Sequence, residues 1–219
     1  LNTGNLYIND GNTKIYLENL KEKIVYRKMA FRSLVIGILV SASAFAGDKY
    51  AIDPVHSSVG FSIRHLLISN VKGDFNEFSG TIEFDEADIT KSSVDVVIKT
   101  ASIDTDNVNR DQHLASADFF DAEKFPEITF KSSKIEKSEN GLTMTGLLTM
   151  HGVTKEIIIP FEFIGKVKDP MNNEVVGFEG KTTLDRKEFG ITWNKTLDEG
   201  GLALGNEVKI ELNIEAVKM

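Results

Sequence analysis

No cysteine occurs in the 219 residues. Disulfides and thiol nucleophiles are therefore excluded, and so is a lipid anchor on a cysteine after a cleaved leader. No apolar run reaches the roughly 20 residues of a membrane-spanning helix; Leu34–Val40 (LVIGILV) falls far short. The histidines His56, His65, His113 and His151 show no H-E-x-x-H or similar spacing, so a sequence-local zinc site is unsupported. The G-x-S-x-G turn that presents a nucleophilic serine is missing as well. There is no repeat of fixed period and no low-complexity linker. Positive charge is scarce, with 25 Lys+Arg against 33 Asp+Glu. Beyond Ala46 the counts are 19 and 30, a net charge of −11. That balance argues against nucleic acid and anionic membranes as main partners.

The beginning of the chain reads as processing rather than fold. Met29 and Arg32 open a short basic region, Leu34–Val40 forms an apolar core, and SASAFA ends at Ala46 with small residues at Ala44 and Ala46. This is the pattern of a secretory signal peptide over 29–46. Residues 1–28 are polar, start with Leu and lack a core pattern, and are expected to be a non-native upstream extension or an unusually long n-region, outside the fold either way. The expected domain is 47–219, 173 residues, enough for one sizeable core.

What this part does have is alternation. Val59, Phe61, Ile63 and His65 share one phase, as do Phe78, Ile82 and Phe84, then Ile128 and Phe130, then Met144, Leu148 and Met150. Ile157, Ile159, Phe161 and Phe163 form another set, and Val208, Ile210, Leu212 and Ile214 close the chain. Strict period two over five or more residues marks antiparallel strands buried on one face. About eight strands result, one of them split near Gly177 and Gly180. Turns fall at Asp53-Pro54, Glu139-Asn140-Gly141, His151-Gly152 and Asp169-Pro170. The pattern predicts an all-β barrel or sandwich and does not decide whether the interior is full or hollow.

Between Thr100 and Glu127 the alternation stops. Asp106 can cap a short helix on which Arg110, His113 and Leu114 share a face, and Arg110 can pair with Asp106. Ser116 can cap a second turn bearing Phe119 and Phe120, and Pro126 ends the excursion. Two readings of Arg110 and His113 stand: a polar clamp at a barrel mouth, or a corner held by ionic pairing. Two readings of His65 stand as well. On the inward phase it is either a hydrogen-bonded core histidine or a ligand contact. Trp193, after the Gly190 turn, is core or rim.

Five blocks, in order, resemble the YceI-like family. They are YAIDPVHSSVGFSIRHL (Tyr50–Leu66), VKGDFNEFSGTIEFD (Val71–Asp85), RDQHLASADFFDAEKFPEITF (Arg110–Phe130), GLLTMHGVTKEI (Gly146–Ile157) and DRKEFGI (Asp185–Ile191). The resemblance runs from about Lys49 to Val217 and is weakest over Thr192–Asn206. It implies an exported, periplasmic, eight-stranded lipocalin-like β-barrel with one short helical excursion. It also implies a long amphipathic lipid inside, either a polyisoprenoid (polyprenyl phosphate or isoprenoid quinone) or a fatty amide. It implies no catalytic residue, and pairing into a homodimer through exposed strands is compatible with it. No cofactor or metal is expected from the histidine spacing, no nucleic acid from the charge, and no stable membrane insertion after cleavage from the short apolar run and missing cysteine. On this basis His65, Arg110, His113 and Asn194 are expected at the ligand head. Phe61, Ile63, Phe84, Phe119, Phe120, Phe130, Leu148, Phe161, Phe163 and Trp193 are expected around its tail. The competing functions are an enzyme on such a lipid, with His65 or His113 as base, and a stress-related module with a filled barrel.

Overall fold

The alternating segments appear as strands in a computed structural model, which describes residues 47–197 and 201–219. The strands are β1 (Asp48–Ile52), β2 (Ser58–His65), β3 (Ser69–Phe75), β4 (Phe78–Phe84), β5 (Ser93–Lys99), β6 (Ile103–Asp104), β7 (Glu127–Ser138), β8 (Gly141–Met150), β9 (Val153–Lys168), β10 (Glu174–Asp185) and β11 (Leu204–Lys218). The upstream extension and signal peptide expected at 1–28 and 29–46 lie outside the described residues. Every pairing is antiparallel.

Eleven segments occupy eight positions around a closed barrel. β11 pairs along one edge first with β2 (Leu212↔Val59) and then with β1 (Ala216↔Ile52), so β1 and β2 are one position bent at the Asp53–Ser57 corner. β3 and β4 likewise follow one another against β2 and β1, and β5 and β6 against β4 and β3. The remaining strands form a meander from β7 to β11, and the β1–β11 pairing completes the ring. Closure through β1 and β11 removes the edge at that end; β6, which among the described residues pairs with β3 alone, ends the sheet order at the other. Near Gly177 the expected break is a register shift between β9 and β10 inside one continuous strand.

Interior glycines let large neighbours in. A Cβ on Gly146 would stand 2.5 Å from Cζ of Phe130, and one on Gly73 2.7 Å from Cζ of Phe61. The Asp53 corner is fixed by its own carboxylate, which accepts Val55 N–H at 2.8 Å and contacts His56 Nδ1 at 2.9 Å. Near the chain ends, the buried Tyr50 hydroxyl donates to Glu174 Oε1 at 2.5 Å, and Lys218 joins the same carboxylate at 3.3 Å. The hydrogen bond donated by Tyr50 draws Glu174 below the usual carboxylate range, helped by Lys218 and Lys166.

The excursion after β6 carries one α-helix, α1 (Val108–Ala115). Its cap is Asn107, whose Oδ1 accepts Arg110 N–H at 3.0 Å; the expected cap, Asp106, sits one residue outside with φ 60°. The expected Asp106–Arg110 pair gives way to another arrangement. Arg110 reaches back to Thr105, donating Nε to its hydroxyl at 2.7 Å and Nη2 to its carbonyl at 2.6 Å. Asp111 accepts the Thr105 N–H at 2.9 Å from the other side. The segment returns to the sheet where Thr100 N–H donates to Pro126 C=O at 3.0 Å. No helix among the described residues is long and apolar enough to cross a membrane.

Candidate functional site

Side chains that point into a fully packed barrel lose nearly all contact with solvent-sized space. Here Ile157, Phe161, Phe178, Leu184, Ile210, Leu212 and Ile214 point inward and are only half-buried. They surround a lumen of about 180 Å³. Apart from Ser92, Glu179, Gly180 and Thr182, every lining residue is aliphatic, aromatic or methionine. A cavity of ~150 Å³ suffices for benzene, whereas drug-sized ligands occupy ~300–1,000 Å³. The lumen is therefore hollow but narrow, and a long chain enters it only if lining side chains move aside.

Aromatic clusters stand at both ends. Towards β1 and the C-terminus, Phe84 meets Tyr50, Phe163 and Phe178, at centroid distances of 6.1, 5.0 and 5.7 Å. At the other end Phe75 meets Phe61 at 5.9 Å and Phe120, from the excursion, at 5.8 Å. Beyond that pair Phe119 and Trp193 pack at 5.0 Å, and the His113 imidazole stands edge-on to both at 5.0 Å. Asp118 Oδ2 accepts from His113 Nε2 at 2.9 Å, which places the proton on Nε2 and orients the ring. Trp193 also lines a surface depression of about 440 Å³ with His65, Leu66, Lys195, Thr196, Leu197, Ala203 and Leu204. One indole thus links His113 to the depression that holds His65.

The residues named from sequence divide accordingly. Phe84, Phe130, Leu148 and Phe161 line the lumen itself. Phe61 and Phe120 back onto Phe75, and Phe163 backs onto Phe84 and Phe178. Phe119 and Trp193 lie under His113, and Ile63 is half-buried on β2 opposite Val71 and Val208. Among the polar set, His113 and His65 flank Trp193. Arg110 is committed to Thr105. Asn194 is committed to Leu204, donating to its carbonyl at 2.8 Å and accepting its N–H at 3.1 Å.

Arg186 is the residue that alternation conceals. It follows β10 in the DRKEFGI block, where a charged side chain reads as surface, yet it is only 4% exposed. Its Nε donates to Gly205 C=O at 2.9 Å, and Nη1 to the carbonyls of Ile191 at 2.9 Å and Trp193 at 2.8 Å. Burial pulls this guanidinium below the usual arginine value. Its Nη2 and the Asn206 Oδ1 are buried without a partner among the described residues. The Trp193 loop therefore hangs on a buried cation whose two Nη2 N–H donors are unpartnered among the described residues.

A closed eight-position barrel around an apolar lumen, with one helical excursion at its end, has the architecture of the lipocalin-like binding barrels. Within that class the chain belongs to the YceI-like family, whose domain matches residues 50–216. It is 43% identical over 188 residues to a UPF0312 protein of Vibrio parahaemolyticus, covering 84% of this chain and 95% of the relative. It resembles the crystal structure of Burkholderia cenocepacia BcnA with a TM-score of 0.65 and 25% identity, over 75% of this chain and 98% of that one. A polyisoprenoid binding domain from Saccharophagus degradans shares the fold, with a TM-score of 0.56 at 13% identity over 78% of this chain and 98% of that one.

Proposed function

We propose that this protein is an exported, periplasmic carrier or store for a long amphipathic lipid. The ligand is a polyprenyl phosphate, an isoprenoid quinone or a fatty amide, with its tail in the lumen. The observation that carries this reading is the lumen wall, a continuous apolar surface inside a closed barrel, left accessible along β9, β10 and β11. Family membership supports it, and so does the polyisoprenoid binding named for the Saccharophagus domain of the same fold. Each methylene moved from water into such a space is worth about 0.8 kcal/mol. Ordering a flexible chain offsets part of that gain.

The head lies at the end where His65, His113 and Trp193 gather. His113 and His65 are the groups nearest to it. Arg110, held by its two bonds to Thr105, braces the corner that carries His113, while Asn194 holds the Trp193 loop in place. No general base is invoked, because the role requires binding without turnover.

A chain-length series tests the reading. Prenols of increasing length should bind with rising affinity until the tail fills the widened lumen, and then level off. Affinity that does not change with length would contradict a tail-binding lumen.

A further inference from the structure

The hairpin between β2 and β3 is built from residues that an isolated soluble barrel has no use for. Ile68 N–H donates to His65 C=O at 3.2 Å, closing a turn whose central residues, Leu66 and Leu67, have φ of 49° and 63°. Turns with positive φ at both central positions favour Asn-Gly, because a Cβ there crowds the following carbonyl. Two leucines occupy them instead. Leu67 is 65% exposed and Ile68 81%, so the strained backbone holds aliphatic side chains out in water. Backbone and side chains are both unfavourable for the protein alone, and strain of this kind collects at functional positions.

Leu202 enlarges the tip. Leu66 N–H donates to Ala203 C=O at 2.8 Å, and Leu67 Cδ1 lies 3.8 Å from where a Cβ on Gly201 would stand. Two exposed cations flank it. Arg64 is the last outward residue of β2 before the turn, and Lys195 borders the depression shared by Leu66 and His65.

We propose that this tip, Leu66–Ile68 with Leu202, seats the protein on a phospholipid bilayer. The aliphatics enter among the acyl chains, and Arg64 and Lys195 meet the headgroup phosphates. The patch is four aliphatic side chains, small against the ~20–30 residues a side of a specific protein–protein interface. It carries no aromatic anchor of the kind that dominates such interfaces. The net charge of −11 beyond Ala46 keeps the rest of the surface away from headgroup phosphates, so contact is made tip first. Binding through one small tip is weak and reversible. It would hold the His65–Trp193 end of the barrel against the membrane.

The test is flotation with phosphatidylcholine vesicles containing a minor fraction of phosphatidylglycerol and no isoprenoid, so the result is independent of what fills the lumen. Wild-type protein should float with the vesicles. Ile68→Ser, which leaves the turn backbone alone, should lower partitioning about tenfold or more. Leu66→Asn with Leu67→Gly should lower it as much while holding or raising the melting temperature, since the turn is relieved of strain. The proposal is overturned by a wild type that does not float, by variants that float equally well, or by a wild-type dimer in solution that Ile68→Ser dissolves.

Discussion

The imidazole of His113 and the indole of Trp193 meet edge to face, with ring centroids 5.0 Å apart. One ring belongs to the excursion after β6 and the other to the loop after β10, so this contact joins the two segments that cover one end of the barrel. Edge-to-face aromatic pairs contribute about 0.5–1.5 kcal/mol beyond area burial. A double-mutant cycle of His113→Ala and Trp193→Ala should show coupling in that range in denaturant unfolding. Either variant should also release a bound prenyl lipid faster than wild type. Additive effects on stability with unchanged release would mean that the two segments are independent.

Arg110 and His113 stand three residues apart on α1 and are expected to behave differently. Arg110 braces the corner through two hydrogen bonds to Thr105. Arg110→Ala should cost about 1–3 kcal/mol and weaken phosphate-headed and neutral-headed ligands alike. His113→Ala should weaken the phosphate-headed ligand more. Calorimetric titration of both ligands against both variants checks this. A charge-selective loss in Arg110→Ala without loss of stability would make Arg110 the head-group clamp.

Gly146 admits the Phe130 ring to the lumen wall. Alanine would place a methyl 2.5 Å from Cζ of Phe130 and 2.6 Å from the Lys131 carbonyl oxygen. Because the second obstacle is backbone, rotation of the ring does not relieve it. Overpacking of this kind costs about 1–3 kcal/mol, and Gly146→Ala should show it as a lowered denaturation midpoint. An unchanged midpoint would mean that the β7–β8 ladder yields more easily than its register suggests.

The Asp53–His56 pair gives stability a pH signature. The hydrogen bond that His56 Nδ1 donates to the Asp53 carboxylate raises His56 above the ordinary histidine value, with the charges of Asp53 and Glu215 adding to it. The same bond lowers Asp53. A histidine raised in the folded state stabilises fully below its unfolded pKa of about 6.5, and the contribution disappears as pH rises through the folded value. Asp53 contributes above its unfolded value, and its share is lost as pH falls through the lowered one. Wild type should therefore exceed His56→Asn in melting temperature most clearly at about pH 5.5, with the gap closing towards alkaline pH. The His56 ring should titrate above about 6.5 by NMR. A ring titrating at or below that value would remove the pair from the corner.

Much of the barrel was legible because period two is a geometric consequence of a sheet buried on one face. Ile157, Ile159 and Phe161 announce β9, and Val208, Ile210 and Leu212 announce β11, without any long-range information. The number of strand segments was less legible, since the bends at Asp53–Ser57 and Asn76–Glu77 switch the buried phase, from Tyr50 and Ile52 to Val59 and from Phe75 to Phe78, so that one barrel position carries two short strands. Closure itself depends on β1 meeting β11 across the whole chain, which no local pattern records. At the site, His113 was readable as a special residue, but its Trp193 partner depends on how two distant loops meet. Arg186 carried no signal of its own in the sequence: a charged residue after a strand suggests surface, and its burial depends on the carbonyls of Ile191 and Trp193 and of Gly205 on β11 closing around it. Phe119 and Trp193 were grouped with the tail contacts on the family resemblance alone, since neither lies on an alternating strand that would say whether it lines the cavity or covers its end.

The most direct measurement is native mass spectrometry of the protein purified from its own host without detergent, followed by solvent extraction of whatever it carries. The expected result is a complex heavier than the chain by the mass of one long prenyl or acyl lipid, with that lipid recovered in the extract. The chain mass alone, with no lipid extracted and no binding when long prenols are added back, would contradict the carrier function.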